Sequence, residues 1–192
     1  MIERCVFKTP WGWMGLAGSI RGVRIIALPK TSRRSVEGAL DAQWASMNGS
    51  PAAKGSHVQL SASPSPLLKE AQAQLLSFMA GERSTLDFPI DLSGGSSFQR
   101  RVWRAILRIP YGRVRSYKWV AARVGGQRYA RAVGNAVGAN PVPVIIPCHR
   151  VVAHDGSLGG FSGGLRTKRR LLALEGSLAQ LKARPRVTRR GG

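Results

Sequence analysis

The segment from Asn140 to Val152, which reads NPVPVIIPCHRVV, constrains the fold more than any other part of the chain. Each of its prolines disfavours helical geometry in the preceding residue, so the segment cannot continue a helix. The apolar, β-branched residues between the prolines are typical of a buried strand or turn. We therefore expect an irregular, buried segment that carries Cys148 and His149 near its end.

Cys148 is either a nucleophile or a buried thiol that only packs. The thiolate is the reactive form, and a free thiol with a pKa of about 8.5 is mostly protonated at neutral pH. A neighbouring imidazole, oriented by a carboxylate, would solve this. Adjacent strand residues point to opposite faces, so His149 could serve Cys148 only through a bend at Pro147 or a bridging water.

The distribution of charge suggests a polyanionic partner. The chain has 30 Lys and Arg against 9 Asp and Glu, and after Asp91 the only acidic residues are Asp155 and Glu175. Nucleic acid is the first interpretation of such a basic half, and a solvated basic surface is the alternative. Glu175 ends a helix predicted from Lys168 onward. It either orients the histidine or is a surface residue.

Turn signals predict a sheet, then a helix and a domain boundary, in the first half. Strands are expected over 3–8, 13–19 and 23–28, followed by a short helix over 36–46 and a mobile loop over 48–64. A further helix should start at Ser65 and end at Gly81. Residues 84–95 should form an extended connector. We place one domain over 1–88, a second over 89–179, and a basic, disordered tail over 180–192.

The second half is predicted to be mostly helical. Ser97 should cap a helix with apolar residues Phe98, Val102, Ile106 and Ile109, and Ser116 should cap the next. A tight turn at Gly125–Gly126 then leads to a helix over 128–139. This order is typical of a helix-turn-helix, although any helical hairpin can show it.

The helix over 128–139 has unusually small side chains. Its polar residues are Arg128, Arg131 and Asn135; its small ones are Ala130, Ala132, Gly134, Ala136 and Gly138. Each glycine costs about 1 kcal/mol relative to alanine in a helix, so close approach to a neighbour must be required. That neighbour is either another helix of the same domain or a nucleic-acid groove.

Other patterns narrow the interpretation. The glycine-rich stretch over 154–164 is either a flexible linker or an ordered lid, and its Leu158 and Phe161 favour a lid. Neither the two cysteines nor the three histidines complete a metal-ligand spacing, so we expect no metal site. The start lacks a signal-peptide pattern, and no apolar run approaches the roughly 18 residues of a membrane span. A cytoplasmic protein is expected.

Several motifs together resemble the O6-alkylguanine-DNA alkyltransferases, also called methylated-DNA–protein-cysteine methyltransferases. The resemblance covers roughly residues 85–178 and, more loosely, the opening meander. It rests on SSFQRRVWRAILRIPYGRVRSYKWVA, RAVGNAVGANPVP, IIPCHRVV and GSLGGFSGGLRTKRRLLALEG. It implies an N-terminal ribonuclease-H-like α/β domain, followed by a helical helix-turn-helix domain that carries the active-site cysteine. It implies no cofactor.

The implied reaction is direct reversal of DNA damage. The alkyl group of O6-alkylguanine, and of O4-alkylthymine, would move irreversibly to Cys148 in a single turnover. The partner would be double-stranded DNA bound through the minor groove by a protein that is monomeric in solution, with cooperative binding on DNA left open. In a prokaryote this places the protein in the cytoplasm, with the nucleoid.

The resemblance also implies roles for individual residues. His149, through a water, would take the proton of Cys148, while Glu175 holds the imidazole and Asn140 braces the turn. Tyr117 would donate to a ring nitrogen of the flipped guanine. The remaining substrate-binding residues would be Val151, Phe161, Ser162 and Lys168. Arg131 would fill the base stack. The other DNA-binding residues would be Ser116, Arg128, Ala132, Gly134 and Asn135.

The chain departs from the family at several points, among them the loop over 48–64, which matches no family element, and three rival functions stay open. Phe161 stands where many members have tyrosine, and the zinc ligands of some eukaryotic members are not recovered beyond Cys5. A non-catalytic alkylated-DNA binder is the main rival, but such proteins replace the cysteine. A helix-turn-helix regulator would need no PCHR motif. A cysteine hydrolase would need an acyl-specific motif, which we do not find.

Overall fold

The computed structural model describes residues 2–48, 59–60 and 64–181. Most of the loop predicted over 48–64 and the tail beyond residue 181 lie outside this range. Within it, the chain has mixed α/β content, with strands concentrated near the start and helices throughout the remainder.

The opening strands form the predicted antiparallel meander. Strands β1 (Glu3–Thr9), β2 (Gly12–Ser19) and β3 (Gly22–Lys30) pair in sequence. A two-residue strand, β4 (Gln59–Leu60), pairs parallel with β1, which gives the sheet order β3-β2-β1-β4. Gly12 has a φ of 124°, and a Cβ there would lie 2.6 Å from the carbonyl oxygen of Lys30, so only glycine fits this turn.

Two helices cover the two faces of this sheet. Helix α1 (Arg33–Asn48) packs Val36 and Leu40 on one face, and α2 (Pro66–Ala80) packs its predicted apolar stripe on the other. Successive side chains of β2 and β3 point to opposite faces of the sheet, and both faces are buried. Ser65 occupies the N-cap of α2, but its side chain makes no cap hydrogen bond.

The second half is helical, with one correction to the prediction. Ser96, not Ser97, caps α3 (Ser97–Leu107), because the Ser96 hydroxyl accepts from the Gln99 amide and the Gln99 side chain accepts from the Ser96 amide. Ser116 caps α4 as predicted. The later elements are α4 (Tyr117–Val124), a 3₁₀ turn (Gln127–Tyr129), α5 (Ala130–Gly138), α6 (Leu165–Leu174) and a 3₁₀ turn (Leu178–Gln180). Helix α6 begins three residues before the predicted start at Lys168.

Helices α3, α4 and α5 pack against one another. The indole nitrogen of the buried Trp103 donates to the carbonyl oxygen of Ala136 at 2.8 Å, which fixes α3 against α5. The buried apolar residues of these helices form one cluster with those of α2 and one sheet face. No helix among the described residues is long and apolar enough to cross a membrane.

The segment over 140–152 runs between the sheet and the helices. The Pro141 carbonyl oxygen accepts from the Ile26 amide of β3 at 2.9 Å and from the Gln43 side chain of α1 at 3.4 Å. Val144 has a φ of 77°, a costly conformation for a β-branched residue. The segment ends in a 3₁₀ turn (Cys148–Arg150) and strand β6 (Val151–Val152), which pairs parallel with β5 (Arg115–Ser116).

Candidate active site

Cys148 is buried at the start of the 3₁₀ turn, and Asn140 holds the turn in place. The Asn140 amide nitrogen donates to the Ile146 carbonyl oxygen at 2.9 Å and contacts the Cys148 Sγ at 3.1 Å, while its oxygen accepts from the Val142 amide at 3.0 Å. Asn140 is itself buried. One amide side chain therefore fixes both the backbone before the cysteine and the position of its sulfur.

Burial keeps the Cys148 thiol protonated at neutral pH. Removal from water raises its pKa to about 11, against the opposing effects of the Asn140 hydrogen bond and the positive charge of Lys168. A buried thiol that reacts must therefore lose its proton to a base during the reaction, because almost no thiolate exists beforehand.

The 3₁₀ turn also brings His149 to Glu175. The His149 Nε2 lies 2.7 Å from the Glu175 Oε1, and both side chains are completely buried. Burial lowers the pKa of His149, so the ring is neutral near pH 7. With Nε2 protonated toward the carboxylate, the unprotonated nitrogen is Nδ1, which makes no hydrogen bond within the described residues. The surface alternative for Glu175 is wrong.

Arg150, which was not among the predicted site residues, completes this buried group. Its Nε donates to one Glu175 oxygen and its Nη2 to the other, each at 2.9 Å, while its Nη1 donates to the Ile109 carbonyl oxygen at 2.6 Å. The bonds from His149 and Arg150 hold the pKa of Glu175 below its usual value despite burial. The available signal was that this half of the chain has only two acidic residues. A buried arginine needs an anionic partner, so Glu175 was one of only two candidates for it.

Lys168 holds the glycine-rich stretch against the cysteine segment. Its Nζ donates to the carbonyl oxygens of Val151 at 2.7 Å, Leu158 at 2.5 Å and Gly160 at 3.1 Å, and the side chain is fully buried. Burial lowers the pKa of Lys168 to about 8. The stretch is thus an ordered loop, as Leu158 and Phe161 suggested, with its backbone fastened to α6.

Three more residues predicted to contact the substrate lie in this loop or next to it. The Tyr117 hydroxyl lies 3.4 Å from the Gly160 carbonyl oxygen, and burial raises the pKa of Tyr117. Phe161 is half-buried against the core, and Ser162 is exposed. Ser162 and Asn140 both line a cleft of about 600 Å³ between β3, α1 and the segment before the cysteine.

The predicted DNA-binding residues of α5 share an exposed face. Arg131, Ala132 and Asn135 are exposed there, whereas Val133, Ala136 and Val137 are buried. A Cβ added at Gly134 or Gly138 would meet nothing within 4 Å. Tight packing inside the domain therefore does not explain these two glycines. The Ser116 hydroxyl is engaged as the α4 cap.

Comparison with known proteins adds independent evidence. A sequence profile of the 6-O-methylguanine DNA methyltransferase DNA-binding domain matches residues 97–177. The chain is 51% identical over 105 residues to a methylated-DNA–protein-cysteine methyltransferase of Mycolicibacterium paratuberculosis, a match that covers 55% of this chain and 63% of that protein's length.

A longer match includes the first half of the chain. The methylated-DNA–protein-cysteine methyltransferase of Methanosarcina acetivorans is 33% identical over 172 residues, which cover 90% of this chain and 97% of that protein. A crystal structure of the Mycobacterium tuberculosis OGT in complex with DNA is similar at a TM-score of 0.70 and 35% identity, covering 92% of this chain and 94% of the other.

Proposed function

Because the chain belongs to the methylated-DNA–protein-cysteine methyltransferase family, we propose that it repairs O6-alkylguanine in DNA by moving the alkyl group irreversibly to Cys148. The observation that carries the proposal is the buried arrangement in which Asn140 holds the sulfur and Glu175 holds the neighbouring histidine. Burying a glutamate with a histidine and a cysteine costs desolvation free energy, which a purely structural core would avoid.

The proposed step moves one proton and one alkyl group. His149 Nδ1 takes the thiol proton, directly or through one water, and the sulfur attacks the alkyl carbon. The carbon–O6 bond breaks, and guanine leaves as an anion. This anion takes a proton from a water molecule, and His149 returns the thiol proton to the hydroxide that remains. Glu175 stabilises the transient imidazolium, and Arg150 keeps Glu175 ionised.

Four groups would bind the flipped guanine. The Tyr117 hydroxyl would donate to a ring nitrogen and the Ser162 amide to O6, so that both stabilise the departing anion. Phe161 would stack on the base. The Val151 carbonyl would accept from the amino group, since an oxygen that already accepts from Lys168 retains a second lone pair. Lys168 would act on the substrate through the carbonyls it holds, as a positioning residue.

The exposed face of α5 would bind duplex DNA from the minor groove. In this proposal α4, the turn at Gly125–Gly126 and α5 form a helix-turn-helix, and Arg131 fills the stack after the base is extruded. The small residues would let the helix backbone approach the groove, with Arg128 and Asn135 beside it. The protein of the similar crystal structure was solved in complex with DNA.

The proposal also covers the domain organisation of the chain, its range of substrates and its location. We infer a ribonuclease-H-like domain over 1–88 and a catalytic, DNA-binding domain over 89–179. The substrates would include O4-alkylthymine. The protein would act as a monomer, in the cytoplasm with the nucleoid.

The deciding experiment is the intact-protein mass after incubation with a duplex that contains one O6-methylguanine. We expect a gain of one methyl group on Cys148, in equal amount to the guanine restored, and no gain in Cys148→Ala. Tight binding of the lesion without a mass gain would instead favour the non-catalytic alkylated-DNA binder.

A further inference from the structure

A compact group of two aromatic rings and two arginines, one of them the predicted DNA-binding residue Arg128, lies at the N-terminal end of α5, outside the cysteine site. The Phe98 ring, from the first turn of α3, and the Tyr129 ring, from the turn before α5, have centroids 6.1 Å apart. The Arg101 guanidinium lies 5.7 Å from the Phe98 centroid, and that of Arg128 lies 5.1 Å from the Tyr129 centroid. We call this group the aromatic platform.

Among the described residues, no carboxylate pairs with the two positive charges of the platform. Arg101 and Arg128 are exposed, and neither forms an ion pair within the described part of the chain. Glu175, an acid of the same half of the chain, is buried and engaged by His149 and Arg150. An aromatic face restrains a guanidinium in one plane and leaves its N–H edge free to donate.

The rings themselves are not free to stack a nucleic-acid base. A Cβ at Gly125 would lie only 3.1 Å from the Tyr129 ring, so the turn backbone covers part of that ring. Arg128 lies over the same ring, and its Nη2 donates to the Tyr129 hydroxyl at 3.4 Å. A base could stack there only by displacing an arginine. The available donors therefore suit phosphate oxygens.

We propose that Phe98 and Tyr129 are positioning residues that hold Arg101 and Arg128 for consecutive phosphates of one DNA strand at the start of α5. The proposal rests on the proposed function, because it takes duplex DNA as the partner and the exposed face of α5 as the neighbouring surface. Arg131, the residue proposed to fill the stack, lies three positions beyond Arg128 on that face.

The test is the salt dependence of binding to a short undamaged duplex, followed by fluorescence anisotropy between 50 and 200 mM salt. We expect Arg101→Gln and Arg128→Gln each to reduce the slope of log K against log salt by about 0.9, the value of one phosphate contact. Arg34→Gln, on the exposed surface of α1, is the matched control for net charge and should leave the slope unchanged.

Variants of Tyr129 distinguish the positioning effect of its ring from the effect of the arginine charges. Tyr129→Leu keeps both arginines, yet should weaken binding about 3-fold, the effect of losing an exposed cation–π contact. Arg128→Gln should then cost less in the Tyr129→Leu background than in the original chain. Tyr129→Phe, which keeps the ring, should bind within about 2-fold of the original. Near-ultraviolet circular dichroism verifies that each variant is folded.

Three outcomes would overturn the proposal. The first is that the arginine variants keep the slope of Arg34→Gln. The second is that Arg128→Gln costs the same with and without the Tyr129 ring. The third is that Tyr129→Leu weakens binding of a single strand at an unchanged slope, which would show base stacking. Binding of undamaged DNA involves no alkyl transfer, so loss of transfer with the expected slopes would contradict only the proposed function.

Discussion

At the residue scale, the site pairs a thiol that holds its proton with a histidine that can take one. Burial raises the pKa of Cys148 and lowers that of His149, so at neutral pH both groups are uncharged. The two oxygens of Glu175 are held by His149 and Arg150, and in the proposed reaction this carboxylate would stabilise the positive charge that forms on His149. In that reaction the thiolate would form only when the proton passes to His149.

Glu175→Gln should slow the single-turnover transfer from free O6-benzylguanine by about 10²-fold, because a neutral amide cannot stabilise the imidazolium. It should also lower the free energy of unfolding by about 3 kcal/mol, since the Arg150 guanidinium loses its buried partner. Single-turnover kinetics and urea unfolding measure the two effects. Glu37→Gln removes an exposed pair with Arg33 and should change neither.

Tyr117→Phe should slow the same transfer by roughly 10²-fold, the effect of losing one donor to a developing anion. Tyr111→Phe is the control, because its hydroxyl donates to the Leu174 carbonyl oxygen and lies on no proposed substrate contact. Equal rates for Tyr117→Phe and the original protein would remove Tyr117 from the reaction.

At the scale of elements, one lysine determines whether the glycine-rich loop is ordered. The loop contains several glycines in left-handed conformations, among them Gly156 and Gly159, and its carbonyls at Leu158 and Gly160 depend on the Lys168 ammonium. Helix α6 thus orders the loop that is proposed to cover the guanine.

Lys168→Met should remove the ammonium donor from three carbonyl oxygens, of which that of Gly160 has a second donor, the Tyr117 hydroxyl, at a cost of about 3 kcal/mol in the free energy of unfolding. We expect faster hydrogen exchange over residues 156–163 and slower transfer from the free base. Lys69→Met, on the exposed surface of α2, is the matched control. Unchanged exchange in the loop would mean that Lys168 does not hold it.

Arg131→Ala should reduce repair of duplex DNA at least 10-fold more than transfer from the free base, because only a duplex requires a base to be unstacked, at a few kcal/mol. The ratio of the two single-turnover rates is the measurement, and Arg34→Ala controls for charge. Equal losses on both substrates would contradict the assignment of Arg131 to the base stack.

At the scale of the whole molecule, acid should destabilise the fold through the buried site. The unfolded chain takes up a proton on His149 near pH 6.5, whereas the folded chain keeps the ring neutral. The unfolded state then binds more protons, so the free energy of unfolding falls below pH 6.5 by up to about 1.4 kcal/mol per pH unit. The lowered pKa of Glu175 adds a further loss below its ordinary value of 4.5.

Urea unfolding at pH 7.5, 6.5 and 5.5 measures this dependence. His149→Gln should lose the slope between pH 6.5 and 5.5, and His154→Gln, a change at an exposed histidine, should retain it. A wild-type protein equally stable at the three pH values would show that His149 is not held neutral in the folded state.

Local patterns determined much of this protein without its tertiary structure. The meander, the helix ended by Gly81 and the Ser116 cap follow from turn residues and apolar spacing, which act over a few positions. The motifs around Cys148 were also sufficient to indicate the family. The choice of Ser97 as a cap was wrong by one position, because adjacent serines offer the same hydroxyl and only the Gln99 contact distinguishes them.

Other features depended on residues far apart in the chain. The partners of Glu175 lie 25 and 26 positions away, and the Lys168 ammonium bridges the cysteine segment and the loop. Burial determined the protonation states of Cys148 and His149. The sequence shows which groups can ionise, but it does not show which of them are removed from solvent. The sequence thus determined the elements and the cysteine that we propose to react, while the tertiary structure decided the charges around it, because desolvation depends on everything packed nearby.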